Sequence, residues 1–457
     1  MKKILYSIPL LCILLVWVGC EPSVDDPTSK STDTTDPTEE PSVSPSDTTI
    51  TTADTIRITW SGASAAIVGS HDSVTVSDNN GYVTVNSQVK DITYILSGNG
   101  QGQLSIYGTN RHQLILSDLT LACSNGPAIN NQCKKSCFVL LQGTNSLTDG
   151  SSYASSDEDR KAAFFSEGQM IFSGSGSLTI KGNYKHALAS DDYIQFAEST
   201  GTITLTASSD GIHANEGIWF DGGTIEVNAG KDGIQNDSAA IVINGGNIYV
   251  TAKEEGIESK GTITINGGIV YAQAADDAIN SGEDFTITGG YVCAYSTGND
   301  GMDANGNFYI KGGLVYAIGA RSPEVAIDAN TEERKQLYVQ GGTIVAIGGL
   351  ESGSSLTQSC YQASGSTSTW YALVVGSETF AFKTPNTNAS TIVVSGASQP
   401  SLYKGVTASG TDIFKGIGYF PASYSGGSSV SLSAYSGSSG GGPGGGGPGG
   451  GGRPGGW

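Results

Sequence analysis

Through the middle of the chain, large apolar residues return at a fixed distance, and an acid-glycine pair returns with them. Asp210-Gly211-Ile212 is followed by Asp232-Gly233-Ile234, Glu255-Gly256-Ile257, Asp277-Ala278-Ile279 and Asp300-Gly301-Met302, at steps of 22, 23, 22 and 23 residues. Weaker copies stand upstream at His186-Ala187-Leu188 and Pro127-Ala128-Ile129, and downstream at Val325-Ala326-Ile327. Inside each unit, short alternating runs predict strands. Ile241-Val242-Ile243 matches Ile263-Thr264-Ile265, Phe285-Thr286-Ile287 and Phe308-Tyr309-Ile310. A Gly-Gly pair comes next, beginning at Gly222, Gly245, Gly267, Gly289, Gly312 and Gly341, and then a further strand such as 224–229 or 247–252. The Ile of each Asp-Gly-Ile starts a third short segment.

Three such strands in one unit cannot pair with each other. Stacked unit upon unit, each pairs in parallel with its own copy, which predicts an all-β parallel β-helix of about 22–23 residues per rung. Two inward columns follow: Ile225, Ile248, Val270, Val292, Val315 and Ile344 in one, and Ile212, Ile234, Ile257, Ile279 and Met302 in the other. The period gives roughly a dozen rungs between about Trp60 and Gly349, with glycine at corners whose backbone angles exclude a Cβ. No Leu-based consensus recurs, and a propeller would need a period of about 40. Residues 350–436 lose the period but keep strand-like runs, "ALVVGSETFAF" and "TIVVSG". They are expected to form a small C-terminal β cap, which an open solenoid end requires.

Composition narrows the partners. The 457 residues carry 43 acids against 23 bases, a formal net charge of −20. Lys and Arg are too few and too dispersed to follow a phosphate backbone, so nucleic acid is not an expected partner. Cations are attracted, and an anionic polymer is approachable only through a bridging metal. Residues 1–20, "MKKILYSIPLLCILLVWVGC", read as an export signal with a basic start and an apolar centre too short for a comfortable span. It ends on Gly19-Cys20, which resembles the lipobox of bacterial lipoproteins, with Trp17 where Leu is usual; the alternative is plain secretion with Cys20 unmodified. Residues 21–53 have too few apolar side chains to fold and are expected to be a disordered tether. Asp25 and Asp26 are similar to the acidic surface-export signal of Bacteroidetes-type lipoproteins. The expected order is therefore signal 1–20, tether 21–53, β-helix 54–349, cap 350–436 and a Gly/Pro-rich tail 437–457. This protein would sit at the outer membrane or cell surface, held by lipid on Cys20. Of the remaining cysteines, Cys123, Cys133, Cys137, Cys293 and Cys360, the odd count fits no zinc template. Cys133 and Cys137 either pair or are, like the rest, small buried hydrophobes.

The acids pose the chemical question. Asp-Gly is a turn dipeptide, and turns alone would account for each copy. Stacked at the strand spacing of about 4.8 Å, however, Asp210, Asp232, Glu255, Asp277 and Asp300 form a ladder. Neighbouring carboxylates at that distance repel by roughly 3–4 kcal/mol at an effective dielectric near 20. More oxygens gather beside them: Glu254, Asp276, Asn299 and Glu324 just before, Glu258, Asn280, Asp303 and Asp328 three residues on, then Asn215, Asp237, Asn305 and Asn330. Calcium takes six to eight oxygens at about 2.3–2.6 Å, so an ion between rungs would reach both. The expected calcium ligands are Asp210, Asp232, Glu254, Glu255, Glu258, Asp276, Asp277, Asp300, Asp303 and Asp328. Zinc or copper would want His or Cys, and of these His213 alone falls here. A second, outward column after the Gly-Gly pair holds Tyr249, Tyr271, Cys293 and Tyr316, with Tyr291 and Tyr295 beside it and Trp219 on the other strand face. These rings either stabilise the sheet or form a platform for sugar rings.

The stretches "ITYILSGNGQGQLSIYG", "LTLACSNGPAIN", "GTNSLTDGSSY" and "GSGSLTIKGNYKHALASDDYI", continued by the serial Asp-Gly-Ile rungs, make 91–349 resemble the β-helical carbohydrate-binding family typified by a clostridial cell-surface protein. The resemblance implies a right-handed, pectate-lyase-like parallel β-helix, bound calcium around the Asp-Gly rungs, and binding of plant-type polysaccharide such as cellulose or polygalacturonate. Glu255 and Ala278 depart from strict Asp-Gly. Lyase chemistry on uronates needs an Arg or Lys base near calcium, but Lys231, Lys253, Lys260, Arg321 and Arg334 form no recurring pair. Paired carboxylates for hydrolysis, roughly 5–10 Å apart, would arise in such a ladder by accident. No catalytic residue is assigned. The expectation is a non-catalytic surface lipoprotein that binds an acidic or neutral glycan with calcium structural or bridging. The alternatives are a polysaccharide lyase and an adhesin using the solenoid as a spacer.

Overall fold

The computed structural model describes residues 45, 49–52 and 54–437. The export signal, Cys20, nearly all of the tether and the Gly/Pro tail lie outside the described residues. Among the described residues the fold is all-β, with one helical turn at Thr331–Glu333.

Each rung contributes three strands, and each strand pairs in parallel with its copy one rung on. Ile212–Ala214 pairs with Ile234–Asn236, Ile218–Phe220 with Ala240–Ile243, and Thr224–Ala229 with Asn247–Thr251. The first stack, which carries the Asp-Gly-Ile positions, runs in parallel from Tyr82–Ser87 to Met302–Ala304. Single bridges then carry it to Ile327 and Leu350. Its inward column is continuous: Leu188, Ile212, Ile234, Ile257, Ile279, Met302 and Ile327 succeed one another in register, all fully buried. The column Ile225, Ile248, Val270, Val292, Val315 and Ile344 is likewise in register and buried. Between them Phe172, Phe196 and Phe220 stack with centroids 5.3 and 4.9 Å apart. Burying one such side chain fully contributes about 1.5–3 kcal/mol, so the columns supply the driving force that the local sequence of a short strand cannot.

The Gly-Gly corners are built from backbone geometry. The second glycine of each pair is left-handed, with φ of +85° at Gly223 and +83° at Gly246. A Cβ on Gly246 would lie 2.8 Å from the carbonyls of Gly222 and Gly223 one rung back. The glycines of Asp-Gly are different. Gly211 is not left-handed, but a Cβ there would meet Val227 Cγ1 at 2.1 Å and the Gly233 carbonyl at 2.7 Å. Close approach between stacks, rather than turn conformation, requires that glycine.

The expected end cap proves to have two parts. Thr391–Ser395 runs antiparallel to Thr343–Ile347 and, with Cys360–Ser364, covers the last edge of the sheet. A closed four-stranded barrel, Trp370–Val375, Glu378–Lys383, Ser401–Asp412 and Gly418–Val430, lies instead on the flank. Its Tyr371, Phe380, Phe382 and Phe414 pack with Tyr271, Cys293, Tyr316 and Val345 of the solenoid in one apolar cluster. Among the described residues the five cysteines are buried and free, so Cys133 and Cys137 do not pair.

Candidate functional site

The acids form a ladder along one corner of the first stack. The backbone carbonyls of Asp210, Asp232, Glu255, Asp277 and Asp300 each accept a hydrogen bond from the rung before, at 2.9–3.3 Å. Several side chains reach the other way. Asp232 Oδ1 accepts from the Glu255 backbone N–H at 3.0 Å, Asp277 Oδ1 from Asp300 at 2.9 Å, and Asp300 Oδ1 from Val325 at 2.6 Å. One carboxylate oxygen of these three acids thus anchors the next rung, and the other is left for something else.

Without a counter-charge this arrangement strains the carboxylates. Burial, followed by the neighbouring Asp276 and Glu258, pushes Glu255 up to about 8. Burial with Glu255, Asp303 and Asp300 pushes Asp277 up to about 9. Burial with Glu324 and Asp303 raises Asp300 to about 7, and burial, then Asp210 and Glu258, raises Asp232 to about 6. Carboxyl oxygens of Glu255, Asp276 and Asp277 all lie within 4.8 Å of one another. Glu255 Oε2 and Asn280 Oδ1 are buried acceptors with no hydrogen-bond donor. Buried acceptors are almost always satisfied, so a hard cation that prefers oxygen fits this group, and calcium's ligand distances match its spacing.

The other expected ligands divide. Asp303, Asp328 and Glu351 directly follow the bridged residues Met302, Ile327 and Leu350 and continue the acidic face. Burial, then a hydrogen bond shared with Glu351, pushes Asp328 up. Glu351 falls in the stretch expected to form the cap, yet it stands one 23-residue step beyond Asp328. Glu254 is exposed and 3.5 Å from Lys231, and Glu258 is bonded to Lys260 and Gln235, so these two are answered by protein groups.

Asp210 has partners of its own. His186 Nδ1 and His213 Nδ1 lie 3.0 and 3.1 Å from its Oδ2, with the two rings stacked at 4.7 Å. Burial alone would raise Asp210, but the two histidines outweigh it and hold the carboxyl well below the usual range. Burial alone would lower His213, but Asp210 and Asp237 outweigh it and raise the imidazole to about 9. His186 is not among the ligands the acid pattern predicts, although it occupies the Asp position of its own degenerate repeat.

Of the two readings left open for the outward aromatic column, contact within the protein describes most of its rings. Tyr271 and Tyr316 are buried under the barrel, and Trp219 is 7% exposed against Tyr193. Tyr249, Tyr291 and Tyr295 are half-buried at the same seam, where Lys415 of the barrel sits 3.9 Å above the Tyr249 ring and pairs with Glu226. An outward column reads the same in sequence whether it faces water or a second domain. Among the described residues the exposed large aromatics are instead Tyr82 and Tyr184. Tyr184 is 41% exposed, stacked at 4.2 Å on Tyr153, and two residues before His186.

A parallel β-solenoid with an acid-lined corner and a barrel seated on its flank is the class of molecule these features define. The chain belongs to the family of carbohydrate-binding domain-containing proteins, whose pattern matches residues 77–317 and, overlapping, 238–389. No curated protein matches it. Among solved structures it is similar to the polysaccharide lyase-like protein from C. thermocellum, determined as a gadolinium derivative. That likeness has 20% identity and a TM-score of 0.40, and covers 60% of this chain and 99% of the other.

Proposed function

We propose that this protein is a non-catalytic, cell-surface polysaccharide-binding lipoprotein, anchored through Cys20, whose acid ladder holds calcium that stabilises the rungs and bridges to an acidic plant-type glycan. The observation that carries the reading is the pair of buried, donorless oxygens on Glu255 and Asn280 beside Asp276 and Asp277. Glu255, Asp276, Asp277 and Asn280 would hold one ion, and Asp300, Asp303, Asp328 and Glu351 offer a second oxygen-rich group. The bound ion would supply positive charge to a face that otherwise repels a uronate. The protein's own part is to fix the carboxylates through the backbone bonds from Asp300 and Val325. Tyr184 offers a ring for stacking on a sugar. Two of the basic residues beside the ladder support binding over elimination, since Lys231 and Lys260 are engaged by Glu254 and Glu258.

Affinity electrophoresis of the full chain through polygalacturonate, in calcium and in chelator, tests this reading, with absorbance of unsaturated ends followed in parallel. Retardation that chelator abolishes, with no rise in absorbance, is the expected outcome. A rise in absorbance would make the protein a lyase. Retardation insensitive to chelator would remove the calcium bridge, and failure to retain any polysaccharide would leave the solenoid as a spacer.

A further inference from the structure

We infer that His186, Asp210 and His213 form a binding site for one divalent transition-metal ion, zinc foremost, distinct from the oxygen-only groups further along the ladder. Their donor atoms lie within 4.8 Å of one another, and the two imidazole Nδ1 atoms converge on the single oxygen Asp210 Oδ2 at 3.0 and 3.1 Å. Ligands at about 2.0–2.1 Å around a tetrahedral zinc stand about 3.4 Å apart. The two short edges of this triangle need to open by only a few tenths of an ångström. His186 is 6% exposed, and its Nδ1, though close to the carboxylate, makes no hydrogen bond. A buried nitrogen that shares a carboxylate oxygen with a second imidazole, without a well-formed hydrogen bond of its own, is what a ligand position looks like before its ion arrives.

The surroundings are built for the same purpose. Asp237 Oδ2 lies 3.3 Å from His213 Nε2, so that with Nδ1 on the metal the ring's remaining N–H has a carboxylate to donate to. Ser209 Oγ donates to Asp210 Oδ1 at 3.0 Å and orients the other carboxylate oxygen toward the histidines. Carboxylate–histidine–metal chains of this kind fix the tautomer and raise ligand basicity. Room for the imidazoles comes from the rungs above, where Ala162 stands in register with His186 and Ala189 with His213. Two nitrogens and one oxygen suit zinc, nickel or copper and do not suit calcium. Three protein donors leave a fourth position for water. The site shares no residue with the Glu255, Asp276 and Asp277 group, and it does not depend on the glycan reading.

The test is calorimetric titration of the full chain with zinc chloride in saturating calcium, with cobalt(II) as a spectroscopic probe. One equivalent of zinc is expected to bind, and cobalt to give the intense visible absorption of a four-coordinate nitrogen–oxygen site. His186→Gln and His213→Gln should each weaken zinc binding by more than about 100-fold, and Asp237→Asn by about 10-fold. Asp237 is about half exposed, so that variant folds and remains informative if a histidine variant does not. Absence of zinc binding to the wild type, or an affinity unchanged in His213→Gln or Asp237→Asn, would overturn the assignment.

Discussion

Replacing Asp277 by asparagine asks directly whether the ladder is built around a cation. Asp277 is 5% exposed, and its Oδ1 accepts from the Asp300 backbone at 2.9 Å, a bond that an amide oxygen can keep. What changes is charge. In the absence of a cation, Asp277 faces Glu255 and Asp276 with oxygens within 4.8 Å, where two unit charges repel by about 3.5 kcal/mol at an effective dielectric of 20. Burial, then Glu255, Asp303 and Asp300, push the carboxyl from 3.8 to about 9. The folded state therefore binds the proton more tightly than the unfolded chain, and stability falls as pH rises through that window. At pH 7 the deficit comes to about 4 kcal/mol, trimmed by water around the exposed Asp276. In chelator, Asp277→Asn should thus be more stable than wild type by about 2–4 kcal/mol. In calcium the order should reverse. An ion at 100 times its Kd adds about 2.7 kcal/mol to the protein that binds it, and it relieves the repulsion as well. The assay is urea unfolding of both proteins at pH 7, in calcium and in chelator, at constant ionic strength. If the variant in chelator is no more stable than wild type, or if calcium stabilises the two equally, the ladder is not held under charge strain and the reasoning fails.

Three further outcomes are expected. His112 is buried edge-on to Tyr94, and burial pulls it from 6.5 to about 4. Its folded pKa lies below the unfolded one, so its contribution is present above pH 6.5 and is lost as pH falls toward 4. His112→Phe should remove about 2 kcal/mol of acid sensitivity, read by urea unfolding at pH 7 and 4.5, and an unchanged difference between the two pH values would contradict this. Ile257→Ala, in the middle of the inward column and fully buried, should cost about 2–5 kcal/mol; a loss under about 1 kcal/mol in the same assay would mean the column is not a continuous core. Tyr184→Ala should lower retention on polygalacturonate while leaving the melting temperature nearly unchanged, because its ring is exposed and packs only at the surface on Tyr153. Undiminished retention would remove this ring from the glycan surface.

The solenoid was legible because stacking makes register visible as period. When Ile234 must lie on Ile212 and Ile257 on Ile234, the spacing of the core is written directly into the chain. The same logic located the acids, since Asp210 and Asp232 occupy fixed offsets from those isoleucines. It failed where a second body meets the solenoid. Tyr271 and Tyr316 alternate out of the core exactly as solvent-facing residues would, and nothing local distinguishes water from the barrel that covers them. His186 was missed for a different reason. All three positions of its repeat depart from Asp-Gly-Ile, which reads as a fading signal, yet the change at the acid's position places an imidazole against the next rung's carboxylate. The function of the Asp-Gly glycines was hidden too, because a clash with Val227 from another stack cannot be read from a dipeptide.

One column thus solves the same electrostatic problem in two ways. At Asp210 the charge is answered from within the protein by His186 and His213, and the carboxyl is held low. Two and three rungs on, at Glu255 and Asp277, no histidine or lysine answers it, and the carboxyls are driven up. A column serving only turns would have no reason to differ along its length, because the backbone at Asp210 and at Asp277 makes the same rung-to-rung bonds. The difference lies in the side chains alone. The barrel bears on the same point from the opposite side. It buries the tyrosines after the Gly-Gly corners in an apolar seam, which leaves the acidic corner as the polar face on which the proposed cation and glycan binding rests. A solenoid provides this division at little structural cost, since each corner of the rung is repeated along the whole stack and can be specialised independently of the other two.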